Sequence, residues 1–96
     1  MKYFHRTSVS PDQVIESAAS YFGARMSPTE EGARARRFSS AIGQVIVTVQ
    51  AEGGHYTLVT AETNQPGESE LDKFTKRFLS VVHMMADERH VVRGAY

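Results

Sequence analysis

The chain reads as an α+β domain: one antiparallel β-sheet of four to five strands with two helices on one face, in the order β-α-β(3-4)-α. Three observations predict this. A capped amphipathic segment, "SPDQVIESAASYFG", follows a short aromatic run. Two alternating runs in "QVIVTVQAEGGHYTLVTAET" flank a glycine pair. A second apolar stripe at helical spacing runs through "LDKFTKRFLSVVHM". Strands that cluster between two helices and meet through short turns favour an antiparallel sheet; strands alternating singly with helices would favour a parallel one.

Residues 2–8 alternate Tyr3, His5, Thr7 against Phe4, Arg6, Ser8, which predicts a strand. Ser10 as N-cap, Pro11 at the first helical position and Gln13 as the far side of a capping box start a helix over 11–22. Val14, Ile15, Ala18, Ala19 and Phe22 form its stripe, and Gly23 is expected as a left-handed cap. Ala24–Ser27 reads as a short strand, Pro28 as an edge marker and Thr29–Gly32 as a turn in which Gly32 is free to take positive φ. Ala33–Ser39 reads as a strand with Arg34, Arg36 and Phe38 on one face. Its other face carries Ala33, Ala35, Arg37 and Ser39, small enough that a helix is expected close by.

In the following strand Val45, Val47, Val49 and Ala51 point one way, and Gln44, Ile46, Thr48 and Gln50 the other. Gly53-Gly54 supplies the positive φ angles of a tight hairpin, and the return strand covers about 55–62. One apolar and one mixed face indicate a sheet covered on a single side. Ser69 and Asp72 cap a last helix over 69–86, extending up to 90. Its stripe is Leu71, Phe74, Phe78, Val81, Val82 and Met85, with Lys73, Lys76, Arg77 and Ser80 facing away.

Taken together, the strand, the capped "SPDQVIESAASYF" helix, the "GQVIVTVQAEGGHYTLVTAET" meander and the "LDKFTKRFLSVV" helix resemble the small helix-grip domains. These include short relatives of the START/Bet v1-type (SRPBCC) proteins and the TATA-binding-protein-like fold. The resemblance covers residues 2–86 and rests on element order and patterning. Larger members of such families bind apolar ligands between the long helix and the curved sheet, so the resemblance implies a ligand or partner held there.

Bulk properties narrow the function classes. The 96 residues make one domain, 1–96, with 90–96 expected as a flexible tail. Eleven basic residues balance eleven acidic ones, so no net field draws the chain to nucleic acid or an anionic membrane. Arg25, Arg34, Arg36, Arg37, Lys73, Lys76 and Arg77 are dispersed among acids, without the stacking aromatics of a single-strand binder. Without cysteine there is no disulfide, thiolate nucleophile or Cys-based metal site, which fits a reducing cytoplasm. No apolar run reaches the ~20 residues of a membrane helix, and the N-terminus lacks the apolar core of a secretory signal.

No nucleophile elbow or phosphate loop is present, no cofactor is indicated, and enzyme activity is unsupported. The candidate ligand-lining residues are Phe4, Phe22, Val47, Val49, Leu58, Phe74, Phe78 and Val82, which are equally the expected core. A candidate metal set is His83, Asp87 and His90, at helical spacing with imidazole and carboxylate donors. The uncovered sheet face is expected to show Tyr3, Tyr56, Ile46 and Thr48, depending on register. The function expected is a small non-enzymatic binding module for an apolar small molecule or a protein partner, between or beside the sheet and the C-terminal helix. The alternative is a structural or regulatory homodimer without ligand; a metal-binding protein or small enzyme ranks below both.

Overall fold

A computed structural model describes the backbone of residues 1–94 and the side chains of residues 1–86. The chain runs β1 (Lys2–Thr7), α1 (Pro11–Gly23), β2 (Ser27–Glu31), β3 (Ala35–Ser40), β4 (Gly43–Glu52), β5 (Tyr56–Thr63) and α2 (Glu70–Gly94). The five strands form one antiparallel sheet in the order β1-β5-β4-β3-β2. The N-terminal strand therefore pairs with the last one, and both helices lie on the same face. Among the described residues no helix is long and apolar enough to cross a membrane.

Helix α1 starts as its sequence dictates. The Ser10 hydroxyl accepts from the Gln13 N–H at 3.3 Å, and Pro11 opens the first turn. Its end differs from expectation. Gly23 stays within the helix, and Ala24 closes it with φ −68°, so no left-handed cap forms. The Arg25 and Met26 N–H groups instead close on the Phe22 carbonyl.

The middle segment also differs. The strand expected over Ala24–Ser27 begins only at Ser27 and runs to Glu31, through most of the expected Thr29–Gly32 turn; it forms the sheet edge beside β3, with a bulge between Pro28 and Glu30. Pro28 is tolerated there because an edge strand can forgo a ladder donor. Gly32 is not among the positive-φ residues. The small-residue face of β3 is the uncovered one. Helix α1 lies on the other side, where its Phe22 stacks on Phe38 with ring centroids 5.3 Å apart.

The β4–β5 hairpin sets which residues meet the helices. Gly53 and Gly54 take φ of 62° and 76°, as expected, but the connection has three residues because Glu52 pairs with Tyr56. That one extra residue, His55, places Val59 opposite Val49 and Ala61 opposite Val47. A two-residue loop would have put Leu58 and Thr60 there. Side chains alternate along a strand, so a shift of one residue exchanges the two faces of β5. Leu58 is therefore on the uncovered face, half-buried, while Val59 and Ala61 have no exposed surface.

The same pairing carries to β1, where Phe4 lies opposite Thr60 and Tyr3 opposite Ala61. Phe4 is thus 61% exposed, and Tyr3 points toward the helix layer; both are the reverse of the expectation. At the other end of β4, Gly43 has φ 133°, and a Cβ there would stand 2.7 Å from Gln65 and 2.9 Å from Leu71. Only glycine lets the linker to α2 approach that closely.

The core lies between this sheet face and the helices: Val9, Val14, Ile15, Ala18, Phe22, Met26, Phe38, Val45, Val47, Val49, Val59, Leu71, Phe74, Phe78 and Val82. Helix α2 contributes Leu71, Phe74, Phe78 and Val82 at helical spacing, whereas Val81, one step round the helix, stays partly exposed. The α2 backbone continues past the expected end at 86–90 to Gly94, and residues 95 and 96 lie outside the described part. Phe78 is fully buried against Tyr21 and Phe22. Phe78→Ala should cost about 3–5 kcal/mol in a urea titration, and a loss below about 1 kcal/mol would contradict this packing.

Candidate functional site

Six of the eight candidate lining residues do come together: Phe22, Val47, Val49, Phe74, Phe78 and Val82 all belong to the core. Phe4 and Leu58 are on the far side of the sheet. The space between sheet and helices is occupied by aromatic rings. Tyr21 stacks on Phe74 at 4.5 Å, and Phe22 meets Phe74 edge-on at 5.5 Å and Phe78 at 5.1 Å. The Tyr21 hydroxyl donates to the Phe74 carbonyl at 2.7 Å, which locks that ring. These residues make a packed core in the place where a ligand would sit.

Of the candidate metal set, only the His83 side chain is described; Asp87 and His90 lie outside the described side chains. Among the described residues no three His, Cys, Asp or Glu side chains gather as a metal site. His83 is instead paired with His5 from β1, edge to face, with ring centroids 5.9 Å apart. The two imidazoles border an open hollow of about 430 Å³ together with Leu79, Ser80 and Met84. Partial burial, and then the neighbouring His83, hold the His5 imidazole below its ordinary value of 6.5, so it stays neutral at pH 7.

Sequence reading missed the principal polar cluster. Asp72, at the start of α2, has no exposed surface. Its Oδ1 accepts from the Tyr3 hydroxyl at 2.5 Å and its Oδ2 from the Glu68 N–H at 2.9 Å. Lys76, one turn on and 46% exposed, reaches Oδ2 at 3.3 Å and sits over the Tyr3 ring. The sequence signal was present in part: Ser69 and Asp72 form the cap, with the Asp72 N–H donating to the Ser69 hydroxyl at 3.1 Å. Tyr3 could not be found from spacing, because β1 lies 69 residues away in sequence.

The cluster stabilises one protonation pattern. The Asp72 carboxyl is held below its ordinary value of 3.8, first by the Tyr3 hydroxyl; the Glu68 N–H and Lys76 reinforce this against the opposing effect of burial. The Tyr3 hydroxyl and the Lys76 ammonium are both pushed above their ordinary values, chiefly by their hydrogen bonds to Asp72. All three shifts favour neutral tyrosine, carboxylate and ammonium. That arrangement ties β1 to α2.

The third feature is the uncovered sheet face. Phe4 and Tyr56 are 61% and 58% exposed there, and Ile46, Thr48, Leu58 and Thr60 are half-buried between them. Lys2 lies over the Phe4 ring, and Arg6 pairs with Glu52 at 2.8 Å. A shallow hollow of about 370 Å³ opens on this face beside Arg37, Gln44, Ile46, Glu62 and Asn64. Searches against protein-family models, curated proteins and solved structures give no match for this chain.

Two substitutions test the polar interior. Because the folded Asp72 value is depressed, its contribution is present above 3.8 and is lost as pH falls through the lower folded value. Tyr3→Phe should therefore reduce stability at neutral pH and move acid unfolding to higher pH. Urea midpoints from pH 3 to 7 that run parallel for the two proteins would refute this. The Thr75 hydroxyl is fully buried with no hydrogen-bond partner among the described residues. Thr75→Val keeps its shape and removes the orphaned group, and should raise the unfolding free energy by about 1 kcal/mol.

Proposed function

We propose that the chain is a non-enzymatic binding module that presents its uncovered sheet face to a protein partner. One observation carries this: the helix layer and the inner sheet face consume each other in a ring-filled core, while the outer face leaves Phe4 and Tyr56 exposed around a half-buried apolar centre. Exposed aromatic rings beside half-buried Ile46 and Leu58, with charged residues interspersed, are features of a protein interface. The β-α-β4-α order supports placing the chain among helix-grip domains, with the binding surface moved from the interior to the open side. Cytoplasmic residence accords with the absence of cysteine.

A second reading concerns the hollow beside α2. His5 and His83 converge from two elements, with His5 kept neutral, as a weak transition-metal site requires. Native mass spectrometry of freshly purified protein separates the readings. The bare polypeptide mass, as monomer or multimer, is the expected result. A retained lipid-sized mass would overturn the open-face reading in favour of an interior ligand. A retained metal lost in His5→Ala would transfer the function to the histidine pair.

A further inference from the structure

We infer that the partner on the open face is a second copy of this chain, docked face to face about a two-fold axis that runs along β4 through Ile46. This rests on the reading of that face as a binding surface and names its occupant.

The observation is a row of side chains crossing all five strands. Lys2 lies opposite Glu62, Glu62 opposite Ile46, Ile46 opposite Arg37, and Arg37 opposite Glu30. Alternation puts all five on the uncovered face. From edge to edge the row reads cation, anion, apolar, cation, anion, with Ile46 on the central strand of the five. Reversed, it reads anion, cation, apolar, anion, cation. A two-fold axis along the central strand lays the row on its own reverse. Lys2 of one copy then meets Glu30 of the other, Glu62 meets Arg37, and Ile46 meets Ile46. Every charge falls on its opposite, and the apolar residue falls on itself.

The adjoining row agrees. Thr48 lies between Thr60 and Ala35, so the same axis sets Thr48 over Thr48 and Thr60 over Ala35, side chains small enough for close approach. Facing sheets pack about 10 Å apart with strand directions within about 30° of each other, a range that includes the parallel β4 strands this axis produces. Lysine, arginine and glutamate are long enough to follow the displacement that sheet twist gives the ends of the row. The hollow of about 370 Å³ between Arg37 and Glu62 gives the opposing side chains room.

Other occupants fit less well. Nucleic acid or an anionic bilayer would meet Glu30 and Glu62 as often as Lys2 and Arg37. Joining copies through the β2 edge is opposed by Pro28, by the bulge and by Glu30 and Glu31. The zero formal net charge leaves no overall repulsion between copies.

Sedimentation of the full chain over a wide concentration range, at low and high salt, should show a dimer that salt weakens. Arg37→Glu sets like charges together on both sides of the axis and should raise the dimer Kd about tenfold or more. Glu62→Lys should do the same if the first variant folds poorly. The chain has no cysteine, so Ile46→Cys puts one thiol per copy beside the axis. Sheets ~10 Å apart exceed disulfide reach, and a short bis-maleimide should join two Ile46→Cys copies far faster than two Glu16→Cys copies, whose thiols sit on the exposed side of α1. A monomer at the highest concentration overturns the inference. So does a dimer indifferent to both charge reversals, or one that crosslinks equally through Glu16→Cys. A monomer whose native mass is bare would leave the open-face reading standing with a different protein as occupant; a retained lipid would sink that reading itself.

Discussion

The rest of the structure depends on the register of the β4–β5 hairpin. Three residues connect the strands, so Val49 faces Val59 and Val47 faces Ala61. Strand side chains alternate, and this choice divides the sheet into a face that meets the helices and a face that does not. Through β5 it also reaches β1, where it turns Tyr3 and His5 inward and Phe4 outward. A loop shorter by one residue would bury Leu58 and Thr60 and expose Val59 and Ala61, setting threonine where the fully buried Ala61 now lies. The φ angles of Gly53 and Gly54 make the longer turn accessible without strain.

The helices cover only the inner face, and they bury its centre, where Val45, Val47, Val49 and Val59 are enclosed. Phe22, Phe38, Phe74 and Phe78 with Tyr21 fill the layer between sheet and helices, each ring within about 4.5–5.5 Å of another. Offset and edge-on contacts of this kind add specific attraction to the burial of apolar area. A chain of 96 residues has little volume left for an enclosed site after such a core is built. Apolar surface that the fold does not use internally appears on the open side, around Phe4 and Tyr56, and on α2 at Val81 and Met84. That exposed face follows from the one-sided architecture and not from a separate motif.

Polar groups tie the first strand and the helices to this frame. Asp72 begins α2 and accepts the Tyr3 hydroxyl from β1, so the first strand and the last helix are fastened through one carboxylate. A buried carboxylate requires several donors, and Tyr3, the Glu68 N–H and Lys76 supply them. The Thr57 hydroxyl similarly donates to the Val9 carbonyl at 2.7 Å, fixing the turn from β1 into α1. Such bonds join residues far apart in sequence, which is why alternation and helical spacing alone could not reveal them.

By itself the sequence determined the local elements. Ser10 and Pro11 begin α1, the stripe from Leu71 to Val82 makes α2 amphipathic, the valines of β4 share a face, and Gly53-Gly54 turns the chain; each is a property of a few neighbouring residues. The α+β class and the antiparallel sheet follow from their order. Tertiary structure alone decided which face of β1 and β5 is inside, that Ser27–Glu31 pairs as an edge strand, that Asp72 meets Tyr3, and that charges from four strands align in one row about Ile46. Those outcomes depend on pairing between distant segments, where a single residue of offset reverses the result, and local patterning carries no record of the offset.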